Sequence, residues 1–494
     1  MIRAFLIVLL LSLAACGNGQ DNGPLRTDVI GEAAALADPI RRPPSEHGAF
    51  VLDAMAQGLV AIDADGEIEP ALARRWTVLD DGRTYIFRLD DFVWQDGTAL
   101  TAGQIARQLR AARRGGPRSR VAPVLTDIEE VNAVTPQILE VRLTRPRLDF
   151  LHILASAELA MVIENEGLGP YALADGYALD DEAPALLSPL RPPIDEEDDE
   201  TAPPPPIAPE ETVELHFTRA ALAVARFDLG RTDIVLGGRW TTLPLAEAID
   251  PAAANLVLDP TDGLFGLAFV EQAGFLANAD NRRVLSMTVD RAQLVALLGR
   301  DEAEAREVIM ASDAEDIAPV AAPAWIEADL EGRRQFGRAA VSIWRAANGE
   351  IEPLRIALPD EPGSRPIFAI LRNSWRAIGI EVERVAWDAD ADLRLVDRIA
   401  ATPSASWYLQ QFHCERGLPC SQAYEEALSL IDETRSPRAY ALRIADAAAE
   451  LEAMTPFIPL LRPIRWSLIS SRISGFRANR YASHPLDTLL DGGD

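Results

Sequence analysis

Between residues 58 and 102, apolar and polar positions alternate around Asp-Gly pairs. Leu59, Val60 and Ile62 precede Asp65-Gly66 and Ile68 follows it; Trp76 and Val78 precede Asp81-Gly82, and Tyr85, Phe87 and Leu89 form a period-2 apolar face after it. Alternation interrupted by Asp-Gly predicts two antiparallel hairpins. A third pair, Asp96-Gly97, leads to Thr101, a predicted N-cap for a helix over 102–114. Farther on, 128–143 predicts strand, turn and strand, Asp149 opens a short helix, 213–217 predicts a strand and 220–227 a helix.

The second half changes rhythm. An apolar strand near 264–270 is followed by helical periodicity to 298; 351–359 predicts a strand, 364–378 an amphipathic helix stopped by Gly379, and 380–383 and 392–395 two more strands. Gly379 supplies the left-handed conformation that ends many helices. Strands alternating with helices predict an open α/β sheet.

The first residues are of another kind. Arg3, the apolar run Ala4 to Leu13 and then Ala14-Ala15-Cys16 read as an export signal, too short to span a bilayer as a helix. Leu13-Ala14-Ala15-Cys16 looks like a bacterial lipobox, which makes 1–15 a lipoprotein signal peptide, Cys16 the lipid attachment site and 16–30 a lipidated, flexible tether. The formal charge of -29 argues against nucleic acid and anionic membrane surfaces as partners. The chain has no lysine, so all 47 cationic residues are arginine, and Schiff-base or phosphate-loop lysine chemistry is excluded. Six arginines between 107 and 120 are expected on a helix face and a solvated loop. The acidic and proline-rich stretch 187–211 cannot bury a core and is expected to be a disordered insertion. In an exported protein, Cys414 and Cys420 are expected to pair; the competing reading, a metal site with His413, has neither a usual zinc spacing nor a second ligand pair.

Motifs for catalysis are missing: there is no H-E-x-x-H, no G-x-S-x-G and no phosphate-binding glycine-lysine loop, and His47, His152, His216, His413 and His484 are scattered without metal spacing. The expectation is a binding protein, not an enzyme, with no cofactor and no metal.

The same stretch that opens the pattern also resembles a known signature. Gly58-Leu59, Asp65-Gly66, Pro70, Leu72-Ala73, Trp76, Asp81-Gly82, Thr84-Tyr85, Phe87, Leu89, Phe92, Asp96-Gly97, Leu100 and Thr101-Ala102 fall in the order found in family 5 extracellular solute-binding proteins, the oligopeptide, dipeptide and nickel-binding components of ABC importers. Gly167-Leu168-Gly169-Pro170-Tyr171, Arg376 to Val382 and Phe457-Ile458-Pro459-Leu460 are similar to further family segments. The resemblance implies a two-lobed α/β periplasmic binding protein of the large peptide-binding type, class II-like, with a ligand cleft between lobes. Lobe 1 would comprise 31–50, 167–265 and 466–494, with an extra β-rich subdomain over 51–166; lobe 2 would be 266–465. The block 58–102 would be mainly scaffold. The implied partners are a peptide-like or other small solute, an ABC permease, and a membrane reached through the lipid anchor on the periplasmic side of the envelope, with the protein itself monomeric. Two departures stand out: Val270 falls where the family has an asparagine near the cleft, and the family's Trp-x-x-Asp after the strand at 392–395 is absent. Candidate ligand-binding residues nearby are Trp387, Asp397, Arg398, Trp407 and Tyr408. The departures leave room for the alternative of a diverged envelope sensor or interaction protein that transports nothing.

If Cys16 carries the lipid, Cys16→Ser moves the exported protein from the membrane fraction to the soluble one on fractionation; continued membrane partitioning would place the anchor elsewhere.

Overall fold

The computed structural model describes residues 23–489 apart from 116–118, 120, 123, 181–182, 191–205, 250–254, 301–302, 311–313 and 435. The expected signal peptide, Cys16 and the acidic centre of the expected insertion lie outside the described residues. Two large sheets carry the lobes. The lobe 1 sheet has seven strands in the order Tyr171–Leu173, Ala185–Pro189, Val213–Thr218, Leu25–Ile30, Ile234–Gly238, Arg465–Ile469 and Asn255–Asp259. The lobe 2 sheet has five, in the order Val382–Val385, Leu354–Ala357, Leu393–Ile399, Gly263–Phe269 and Phe457–Leu461.

Two corrections follow at the ends of expected loops. Leu25–Ile30, assigned from the sequence to the flexible tether 16–30, is the central strand of lobe 1, parallel to both Val213–Thr218 and Ile234–Gly238. Strands of parallel sheets are covered on both faces, so the pattern here does not alternate: Leu25, Thr27, Asp28 and Val29 are all buried. The buried Asp28 carboxylate is met by the Arg226 guanidinium at 2.8 Å. Likewise the expected disordered insertion 187–211 loses its first residues to the strand Ala185–Pro189, which pairs with neighbours on both sides, and its last to a short turn of helix, Pro209–Glu211.

The subdomain follows the hydrophobic pattern closely. Val60–Ile62 pairs with Ile68–Pro70, and Ala73–Leu79 with Thr84–Leu89, antiparallel in both cases. Gly82 sits at φ 87°, the left-handed turn position that Asp-Gly was expected to supply. Thr84–Leu89 continues through Ile138–Leu143 to Ile128–Thr135, completing a four-stranded sheet. The helix Ala102–Arg114 begins at Thr101, whose N–H donates to Gln104 Oε1 at 2.8 Å. Its inward stripe, Ile105, Ala106, Leu109 and Ala112, packs with Phe87, Leu89, Val131, Leu139 and Val141 as one core.

The Gly-x-Gly-Pro-Tyr segment has a packing reason. The helix Glu46–Met55, called here the cleft helix, ends directly against it: a Cβ on Gly169 would lie 2.4 Å from the Met55 carbonyl carbon and 2.5 Å from the Ala56 nitrogen. Backbone cannot yield as a flexible side chain does, so only glycine lets the segment approach.

The chain passes between the lobes at two adjacent places, Pro260–Asp262 and Arg462–Ile464. Thr261 Oγ1 donates to Pro463 O at 2.8 Å, Arg462 Nε donates to Thr261 O at 2.8 Å and Arg462 Nη2 to Pro260 O at 3.0 Å, so the two crossings are tied to each other. Asp262, buried at this point, gathers Arg462 at 3.1 Å, Arg480 at 2.9 Å and Arg306 at 3.4 Å. Short paired connections of this kind are what a hinge between rigid bodies requires. Among the described residues no helix is long and apolar enough to cross a membrane.

Gly169→Ala should lower unfolding stability by about 1–3 kcal/mol, the usual penalty for forcing extra volume into a packed site, as read from a denaturant titration; an unchanged midpoint would contradict the backbone contact described.

Candidate functional site

A cavity of about 1230 Å³ lies between the lobes. Its walls come from the cleft helix and neighbouring loops of lobe 1, from the subdomain, from residues 397–402 and the helix Ala405–Gln410 of lobe 2, and from the C-terminal segment near Tyr481–Pro485. That volume exceeds the roughly 300–1,000 Å³ of ordinary small-molecule pockets.

The cleft helix is two-faced. Ser45 Oγ accepts from the Gly48 N–H at 3.1 Å and starts the helix; Gly48, Val51, Leu52, Ala54 and Met55 turn into lobe 1, while Glu46, Ala49, Phe50 and Asp53 line the cavity. Those four positions, at i, i+3, i+4 and i+7, form one helical stripe.

At the floor stands Arg465, the first residue of its strand and almost wholly buried. Its Nη1 meets Asp397 Oδ1 of lobe 2 at 2.8 Å, and its Nε donates to Glu46 Oε1 of lobe 1. Arg239 Nη2 holds the other Glu46 oxygen at 2.5 Å. Burial alone would push the Glu46 carboxyl up, but Arg465 and Arg239 overcome it and hold it below the usual range. For Arg465, burial pulls the guanidinium down, and Asp397 and Glu46 more than reverse that, holding it above its ordinary value. One guanidinium thus joins a carboxylate of each lobe.

Several polar atoms of the walls are buried without a hydrogen-bond partner among the described residues: Asp397 Oδ2, Arg465 Nη2, Gln410 Oε1, His152 Nδ1 and His484 Nδ1. Buried polar groups are nearly always bonded. An unsatisfied set contributed by both lobes around one cavity is what a site for a polar ligand presents. Asp53 is a different case. Its carboxylate is exposed on the cavity wall and makes no hydrogen bond or ion pair with any described residue, and the surrounding protein pushes it up to about 7.

Of the residues singled out in the sequence, Asp397, Arg398 and Trp407 are brought together on the lobe 2 wall, with Arg398 Nη1 donating to Gln411 Oε1 at 3.1 Å. The other two lie elsewhere. Tyr408 is buried in the lobe 2 core, because its neighbour Trp407 takes the cavity side of the same short helix and successive helical residues point about 100° apart. Trp387 belongs to the loop before the strand Leu393–Ile399, stacks over Arg394 at 5.4 Å and does not line the cavity, which only the far end of that strand reaches. Val270 is likewise remote. Its N–H donates to Asp392 O, at the opposite end of Gly263–Phe269 from Gly263, which pairs with Ile399 beside the cavity. The missing asparagine there says nothing about this cavity. Cys414 and Cys420 are joined, with Cα atoms 5.3 Å apart, within the range a disulfide spans.

Sequence reasoning missed the cleft helix and Arg465. A signal was present: in EHGAFVLDAM the acids at 46 and 53 are seven residues apart, two helical turns, on the face opposite Val51, Leu52 and Met55. Arg465 gave none, since its role depends on partners 419 and 68 residues away. The block 58–102, expected to be mainly scaffold, also forms cavity wall through Val60–Ile62, Glu69 and Asp90–Val93.

Two lobes joined by a double crossing enclose a polar-lined cavity, the architecture of cleft-type folds. Residues 67–203 match the family model of the bacterial extracellular solute-binding proteins, family 5 Middle. OppA of Burkholderia pseudomallei has the same fold, with a TM-score of 0.77 at 15% identity over 95% of this chain and 99% of that one. The murein tripeptide binding protein MppA of Escherichia coli gives 0.74 at 18% identity over 95% and 97%. Among curated relatives, the probable deoxycholate-binding periplasmic protein YgiS of Escherichia coli is 42% identical over 66 residues, and the glutathione-binding protein GsiB of the same species is 30% identical over 132. Those alignments cover 13% and 25% of this chain and only 12% and 26% of the relatives' lengths.

Because the Asp53 carboxyl is raised in the fold, it favours folding while protonated and opposes it once ionised. Stability is therefore lost as pH rises from the ordinary aspartate value toward about 7. Asp53→Asn should raise the melting temperature of ligand-free protein at pH 8, the gain fading toward pH 4; an equal shift at both pH values would contradict this environment.

Proposed function

We propose that the protein is the solute receptor of an ABC importer, capturing a peptide-like or other small solute between its lobes and presenting it to a membrane permease. The observation that carries this reading is the interlobe cavity whose unsatisfied polar atoms come from both lobes. A solute that satisfies both sets is bound best when the lobes are together, so binding and closure are one equilibrium. Closure about the paired crossings then presents a shape that a permease can distinguish from the empty receptor.

Relatives named for murein tripeptide and for glutathione share the fold or part of the sequence, which supports a solute of that size. No Trp-x-x-Asp sequence follows the strand Leu393–Ile399, and Asp397 is engaged by Arg465. The ligand chemistry is accordingly this chain's own. Lipidation of Cys16 would hold the receptor at the periplasmic face of a membrane and keep it near its permease. Binding needs no catalytic group, cofactor or metal in this scheme, and one copy of the chain supplies the whole cavity.

Protein purified gently from its own envelope should release a small solute on denaturation, identified by mass spectrometry. Returned at about 100 times its Kd, that solute should stabilise the emptied protein by about 2.7 kcal/mol. An empty protein that no peptide, sugar or metal complex stabilises would overturn the receptor reading and favour an envelope interaction protein.

A further inference from the structure

A second set of buried charges faces lobe 2 from the subdomain. Asp127 ends a short helical turn just before the strand Ile128–Thr135, and Arg145, Arg147 and Asp149 follow the strand Ile138–Leu143. Their four side chains are only 4–6% exposed. Arg145 meets Asp127 at 2.8 Å, and Arg147 meets Asp127 at 3.0 Å and Asp149 at 2.7 Å. Two guanidinium groups and two carboxylates of one subdomain thus neutralise each other, and the balance needs no charge from lobe 2.

What lobe 2 adds to these arginines is uncharged. Arg145 Nη1 donates to Ile431 O and, at 3.4 Å, to Thr434 O, carbonyls at the partially negative end of the helix Gln422–Glu433. The same guanidinium lies over the Tyr440 ring, 4.4 Å from its centre. Arg147 Nη2 donates to Ser406 Oγ at 3.3 Å. Ser406 is itself held in place: its Oγ lies 2.7 Å from Ser404 Oγ, and Asp316 accepts from the Ser404 hydroxyl at 2.6 Å and from the Ala405 N–H at 2.8 Å. Contacts of this composition can break without stranding a charge. With the lobes apart each guanidinium keeps its subdomain carboxylate, while water takes over the carbonyls and the hydroxyl. The helix that carries Ser406, Ala405–Gln410, also puts Trp407 and Gln410 on the cavity wall, so a solute pressing on those residues acts on one half of the contact.

Resting on the reading of this cavity as the solute site, we propose that Arg145 and Arg147 form a reversible latch between the subdomain and lobe 2, which holds a fraction of the empty receptor closed and slows release of bound solute. Both are positioning residues: neither lines the cavity, and they act through the helix ends they grip. Rotation about the paired crossings has to draw Arg145 off the end of Gln422–Glu433 before the cavity opens. The latch therefore resists the opening step without altering what the solute touches, and the closed share of the empty receptor is set by this chain as well as by its ligand.

The test is pulsed electron paramagnetic resonance on the emptied full chain, spin-labelled through Glu129→Cys and Ser429→Cys, with stopped-flow release of the recovered solute alongside. The emptied protein with its native latch should keep a short-distance population. Arg145→Met should cut the closed-to-open ratio about tenfold and speed solute release by a similar factor; Asp127 keeps Arg147 as its partner, so the fold should persist by circular dichroism. Tyr440→Leu acts from lobe 2 with the subdomain charges intact and should lower the ratio about threefold. Arg145→Lys should recover part of what Arg145→Met loses, and saturating solute should restore the short distance in every variant. A purely structural role for these residues would move the melting temperature and leave both the ratio and the release rate alone. No short population in the emptied protein, or a ratio unchanged in both Arg145→Met and Tyr440→Leu, would overturn the latch and leave the receptor reading standing. If no solute is recovered or bound, the receptor reading fails, while the ratio in the empty protein still decides the latch.

Discussion

Arg465 is the constraint on which the arrangement depends. It stands where the chain re-enters lobe 1, its guanidinium is buried, and it joins Glu46 of the cleft helix to Asp397 of lobe 2. A charge so placed is tolerable only while both carboxylates face it, and taking one away from a buried group is strongly destabilising. The relative position of the lobes and the charge balance of the cavity floor are thus set by one side chain. A second contact, on the subdomain side, works the same way: buried Arg147 reaches Ser406 of lobe 2 at 3.3 Å while Asp127 and Asp149 hold it, and Arg145 donates to Ile431 O.

The double crossing adds the permitted motion. Its strands run antiparallel on each side, so rotation about Pro260–Asp262 and Arg462–Ile464 leaves both sheets intact. What changes is the distance between walls. A ligand that satisfies Asp397 and Gln410 from lobe 2 and the cleft helix from lobe 1 shifts the balance toward the closed state by its differential contacts with the two states.

Much of the fold was legible in the sequence because its signals are local. The Asp-Gly turns, the Thr101 capping residue and the Gly379 stop each act within a few positions, and the helix Ala102–Arg114 has the ends that were expected. The resemblance over 58–102 extended that reading to a two-lobed architecture. The central strand Leu25–Ile30 was not legible, because burial on both faces erases alternation and the polar residues before it suggested a tether. The site was partly legible: Asp397, Arg398 and Trp407 do line the cavity, whereas Trp387 and Tyr408 do not. Nearness in sequence to the right strand could not tell which end of it faces the cleft. Arg465 and Asp53 acquire meaning only from what surrounds them in space.

One solute closes both lobes on itself. This closure is tested most directly by pulsed electron paramagnetic resonance between spin labels at Glu129 of the subdomain and Ser429 of lobe 2, both exposed beside the outer clasp. The account predicts a single short distance with the recovered solute bound, and an added longer population once the protein is emptied. The same distance distribution in both states would contradict it.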